Sequence, residues 1–91
     1  MLIPNKFKLG AVDWNVKVIP EMHELQGNCD PRSGNIRVEK NSNRTIQEQS
    51  YCHELIHSFL FNAGITEHDE VLVDKLGYSL HQYLVEVYGE E

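Results

Sequence analysis

Long apolar runs are missing from this chain, and so is the basic charge that nucleic acid or an anionic membrane would attract. Its 91 residues carry 8 Lys and Arg against 14 Asp and Glu, a net charge of −6. That balance argues against either partner. No stretch approaches the about 20 apolar residues of a membrane span. Met1–Asn5 lacks the basic start and apolar centre of a secretion signal, so a soluble, cytoplasmic protein is expected. Cysteine is scarce: Cys29 and Cys52 are the only two. In a cytosolic chain they make no disulfide framework and are read as small buried hydrophobes. Internal repeats and low-complexity segments are also lacking. The chain is too short for a second core, so residues 1–91 are expected to form one domain, whose thin core a bound metal would help.

The first half reads as strands. Val12, Trp14, Val16 and Val18 alternate with polar residues, the period of a half-buried strand that Pro20 ends. Gly10-Ala11 separates it from a short strand at Phe7–Leu9, making a hairpin. A second pair is expected at Gln26–Cys29 and Asn35–Glu39. Pro31 presets the turn between them, and Gly34 takes the left-handed position that returns the chain. Ile36 and Val38 should face inward, Arg37 and Glu39 outward. Met22–Leu25 shows no clear period, and His23 is read as a surface residue.

The second half reads as two helices. Thr45-Ile46-Gln47-Glu48 fits a capping box at the start of the first. Cys52, Ile56, Phe59 and Ala63 share a face that Leu55 and Leu60 flank, and Gly64 followed by Ile65 fits a left-handed C-terminal cap. Thr66 should cap the second helix, with Glu67 and Asp69 at its positive end. Its apolar stripe is Leu72, Val73, Leu76, Leu80, Tyr83, Leu84 and Val87. The expected fold is therefore α+β, a small and mostly antiparallel sheet packed on two antiparallel helices.

Within the first helix stands His53-Glu54-Leu55-Ile56-His57, an HExxH motif. Residues four apart on a helix share a face, so both imidazoles can reach one ion. Glu54 then points to the side where a water activated by that ion would sit, placed to take its proton. Cys52, one position from His53, diverges by about 100° and should point away. A catalytic zinc takes three protein ligands and keeps a fourth position open. The metzincin pattern would need Gly at position 60 and His at 63; Leu60 and Ala63 exclude it. The remaining candidates are Glu67, His68, Asp69, Glu70 and Asp74. In an antiparallel hairpin Glu67 and His68 lie too near the turn. Glu70 and Asp74 share a face, so one can bind the metal while the other supports a ligand. Gly77 continues that face and would let the helices approach closely.

HExxH followed by Glu70-Val71-Leu72-Val73-Asp74 on the next helix resembles the gluzincin metallopeptidases typified by thermolysin. The whole chain resembles the minimal zincins of phages and prophages, relatives of the ImmA/IrrE-type peptidase domains. The resemblance implies a zinc peptidase in which His53, His57 and Glu70 bind one Zn2+, Glu54 is the general base, and Asp74 bonds the far nitrogen of His53. Asp69 stands where the family usually has Asn. The larger enzymes' domain with a transition-state-stabilising His has no counterpart here, which leaves Tyr78 as the candidate oxyanion donor. His81 lies about 16 Å along the helix from Glu70 and should miss the site. The strand Asn35–Lys40 is the candidate edge for an extended peptide. The expected function is hydrolysis of a peptide or protein substrate. The competing expectation is a structural zinc domain that binds a partner and cleaves nothing.

Overall fold

Alternating side chains make the strands and 3.6-residue periodicity makes the helices, in the order the sequence suggests. The computed structural model describes residues 1–22 and 26–89, so His23 lies outside the described residues. The elements are β1 (Lys6–Leu9), β2 (Val12–Ile19), β3 (Gly27–Asp30), β4 (Asn35–Glu39), α1 (Arg44–Asn62) and α2 (Glu70–Tyr88). They form an α+β fold in which a four-stranded, mostly antiparallel sheet packs against the helices.

The sheet order is β1-β2-β4-β3. β1 and β2 form the expected antiparallel hairpin, with Phe7 opposite Trp14 and their rings stacked. β3 and β4 form the second, with Cys29 opposite Ile36. At its turn Gly34 has φ +69°, and its N–H donates to the Asp30 carbonyl at 3.0 Å. The two hairpins join through a parallel pairing of β2 with β4, Val16 opposite Ile36 and Val18 opposite Val38. This corrects the expected edge: β4 is interior, and β3 is the outer strand on that side. The physical reason lies in the burial. Ile36 and Val38 are 0 % exposed and so sit in the middle of the sheet, where a strand has a neighbour along each edge.

The core comprises Trp14, Val16, Ile36, Val38, Tyr51, Cys52 and Leu55, so the sheet lies on α1. α2 packs along α1, with its Leu80 and Leu84 against the same core. As α2 ascends from Glu70 through Gly77 to His81, its partners on α1 descend from His57 through His53 to Glu48, so the helices run antiparallel. Gly77 allows the approach: a Cβ there would sit 3.1 Å from the His53 Cα and 3.2 Å from its N. Among the described residues no helix is long and apolar enough to cross a membrane.

Both helix starts differ from expectation. Asn43 caps α1, its side chain accepting from the Ile46 N–H at 3.2 Å. Glu48 is free of capping because it is buried and accepts from His81 Nε2 at 2.8 Å. Burial works to raise the Glu48 carboxyl, but the His81 hydrogen bond and the N-terminal charge outweigh it and hold it below the usual range. Asp69, not Thr66, caps α2, accepting from the Val71 and Leu72 N–H groups. A carboxylate at that positive end is worth more than a hydroxyl. The end of α1 is as expected. Gly64 has φ +82°, and the bonds Ile65 N–H to Leu60 O and Gly64 N–H to Phe61 O form a Schellman motif.

The expected apolar faces were too wide. Phe59 and Ala63 are exposed, as are Leu72, Leu76, Tyr83 and Val87. α2 has one main neighbour, and the narrow stripe Val73, Gly77, Leu80, His81 and Leu84 suffices to cover it.

Candidate metal centre

One helical turn separates His53 from His57, and the antiparallel packing brings the first turn of α2 over both. His53 Nε2 lies 3.2 Å from Glu70 Oε1, and His57 Nε2 lies 3.2 Å from Glu70 Oε2. These three residues could hold a metal ion. A tetrahedral ion with bonds of about 2.0–2.1 Å sets its ligand atoms about 3.3 Å apart, close to both separations. The donors are two imidazoles and a carboxylate, a set suited to zinc among other divalent ions.

Asp74, one turn beyond Glu70, reaches the other side of His53. Its Oδ1 is 2.7 Å from His53 Nδ1. A carboxylate oxygen accepts, so the ring's Nδ1–H donates and a neutral His53 has its lone pair on Nε2, facing Glu70. A lone pair facing a carboxylate oxygen at 3.2 Å is a repulsive arrangement. A second ring proton on Nε2 or a cation between the two relieves it, so the arrangement accommodates a metal ion without requiring one.

Glu54 stands beside this group without belonging to it. It is 7 % exposed, with its carboxylate against the backbone of β3. A Cβ on Gly27 would sit 2.9 Å from Glu54 Oε2 and 3.0 Å from its Cγ. The sequence reading had overlooked Gly27; a lone glycine in a strand, where it signals close backbone approach, was the available clue. Burial pushes the Glu54 carboxyl up to about 7; the His53 charge opposes this and that of Glu70 adds to it. Burial also lowers His57, against the pull of Glu70, which favours the neutral imidazole that binds metals.

Two hollows meet at Glu54. One, of about 300 Å³, is bordered by Gln26, Gly27, Glu54, Asp74 and Tyr78. The other, of about 430 Å³, is bordered by Gly27, Cys29, His57, His68 and Glu70. Both share Gly27, His53 and Glu54, so together they follow the outer edge of β3. Tyr78 is exposed at the rim of the first. Cys29 is half-buried rather than buried, and burial, helped by the charges of Glu54 and Asp30, pushes its thiol up to about 12. Cys52 is fully buried in the core. His81 is held by Glu48, away from the group. His68, expected too near the turn to matter, instead touches a member of the group: its Nδ1 is 2.6 Å from His57 Nδ1.

Compared with known proteins, the chain matches no family model, no curated protein and no solved structure.

Proposed function

We propose that this protein is a zinc-dependent metallopeptidase of the minimal zincin type, with His53, His57 and Glu70 holding the ion and Glu54 as general base. What supports this most is the number of ligands. Among the described residues the cluster has three members, and a groove opens beside it at Glu54. A structural zinc site takes four protein ligands, whereas a catalytic one takes three and leaves a position open.

A zinc ion there would supply Lewis acidity, making water a nucleophile near neutral pH and polarising the scissile carbonyl. The chain's own residues do the rest. The outer edge of β3 takes an extended peptide by strand addition, which lays it along the groove. Glu54 accepts the proton of the attacking water on its carboxylate and passes it to the leaving amine. Asp74 keeps the His53 ring oriented through Nδ1. Tyr78, exposed at the rim, is the candidate donor to the developing oxyanion.

Elemental mass spectrometry on protein purified without a metal-affinity tag tests the centre. Near-stoichiometric zinc is expected in the parent, falling to a small fraction in Glu70→Ala. Zinc retained in that variant would move the third ligand elsewhere, and no zinc in the parent after adding it would end the enzyme reading. Zinc without cleavage of any member of an unstructured peptide library would favour the structural-domain alternative.

Gly27→Ala tests the groove. The new methyl must displace Glu54, so kcat/KM is expected to fall about tenfold to a hundredfold, the effect of a misplacement of order 1 Å. Zinc content should be unchanged, since Glu54 is not in the ligand cluster. A variant as active as the parent would show that Glu54 needs no fixed position against β3.

A further inference from the structure

His68 lies in the connection between α1 and α2, two residues before the first residue of α2. Its ring is held on three sides. Nε2 is 2.7 Å from the Ile65 carbonyl oxygen, Nδ1 is 2.6 Å from His57 Nδ1, and the Phe61 ring lies 4.4 Å away, centroid to centroid. The His57 and His68 rings are nearly parallel, 4.9 Å apart at a 20° angle.

These contacts fix where the hydrogens are. A carbonyl oxygen only accepts, so His68 Nε2 carries a hydrogen. Two ring nitrogens 2.6 Å apart must have a proton between them, because two lone pairs at that separation repel. A neutral imidazole carries one N–H, and that of His68 is committed to Ile65. In the neutral pair the shared proton therefore belongs to His57 Nδ1. His57 Nε2 is left with its lone pair, facing Glu70 Oε2 at 3.2 Å.

We infer that His68 is a positioning residue that locks His57 in the Nδ1–H tautomer, through a relay running from the Ile65 carbonyl to the metal centre. Asp74 does for His53 with a carboxylate what His68 does for His57 with a neutral ring. The two histidine ligands thus have supports of different charge, one from α2 and one from the connection. A neutral support adds no negative charge beside the ion, while Asp74 and Glu70 already add two. The inference rests on the zinc-centre reading of the same site.

Two variants separate the relay from simple packing. His68→Phe keeps an aromatic ring between His57 and Phe61 but has no acceptor; His68→Asn loses the ring but places an amide oxygen near the site of Nδ1. Zinc affinity is measured by competition with a chromophoric chelator, and the His57 tautomer by nitrogen-15 chemical shifts in the metal-free protein. The expected results are an Nδ1–H His57 in the parent and an affinity about 10- to 100-fold weaker in His68→Phe, the usual cost of losing such a support. His68→Asn should recover most of that affinity. Equal zinc affinity in parent and His68→Phe, or rescue by Phe rather than Asn, would overturn the relay and leave the metal reading intact. A parent that binds no zinc, yet shows an Nδ1–H His57 lost in His68→Phe, would overturn the metal reading and with it the role of His68 at a ligand.

Discussion

Glu54→Gln is expected to remove nearly all peptidase turnover while leaving zinc in place. Gln has almost the same shape as Glu, so the packing against Gly27 is kept, but it cannot accept a proton. General-base catalysis is worth about 10² to 10⁴ in rate, so kcat/KM should fall by at least that range. Zinc content should stay at the parent's level, because the ligand cluster comprises His53, His57 and Glu70. The environment suits the role. Burial raises the Glu54 carboxyl, so it returns a proton more readily than a solvated carboxylate would, while an adjacent cation would favour its charged, accepting form. Steady-state kinetics on a cleavable peptide, with metal content measured on the same sample, checks this. Full activity in a zinc-loaded variant would remove Glu54 from the chemistry. Loss of zinc together with activity would make Glu54 a ligand.

The parts of this architecture that follow from local periodicity were legible in the sequence. The hairpin around Gly10, the turn at Gly34, the glycine cap at Gly64 and the close crossing at Gly77 each follow from one residue and its neighbours. The grouping of His53, His57 and Glu70 was also accessible, because two antiparallel helices joined by a short connection leave few registers. What failed was choice of partner. Nothing in Ile36-Arg37-Val38 says that β2 will pair with it in parallel, so the sequence shows both strands of the hairpin but not that β3, rather than β4, is the edge. The apolar residues of α2 show a helical period but not how many neighbours the helix has. Leu72 and Tyr83 belong to its apolar stripe yet remain 52 % and 57 % exposed. Two histidines show the same limit. His68 and His81 were both set aside for their distance from an ion, but one supports His57 and the other is buried against Glu48. A polar residue's partner across the fold leaves no mark in its own neighbourhood.

The attachment of α2 leads to the second large effect, which is on stability. Its buried contacts with α1 come from Val73, Gly77 and His81, with Leu80 and Leu84 half-covered, a small apolar area for a 19-residue helix. Near its start Val73 is buried, and beside it Glu70 and Asp74, both exposed, meet His53 and His57. Without an ion, that end of the helix is held by Val73 and by the Asp74–His53 hydrogen bond. An ion bound there joins the two helices directly. At a free zinc concentration a thousandfold above Kd, binding stabilises the native state by about 4 kcal/mol. In a domain of this size 1 kcal/mol moves Tm by about 4–8 °C, so removing zinc is expected to lower Tm by about 15–30 °C. Thermal unfolding followed by circular dichroism, before and after dialysis against a chelator and again after zinc is restored, measures it. Glu70→Ala should start near the stripped parent's Tm and barely respond to the chelator, because the clamp requires a ligand from each helix. A zinc-loaded parent whose Tm is unmoved by stripping would mean that the apolar stripe of α2 holds the helix pair unaided. The centre would then be a site preformed by the fold, contributing chemistry but little stability.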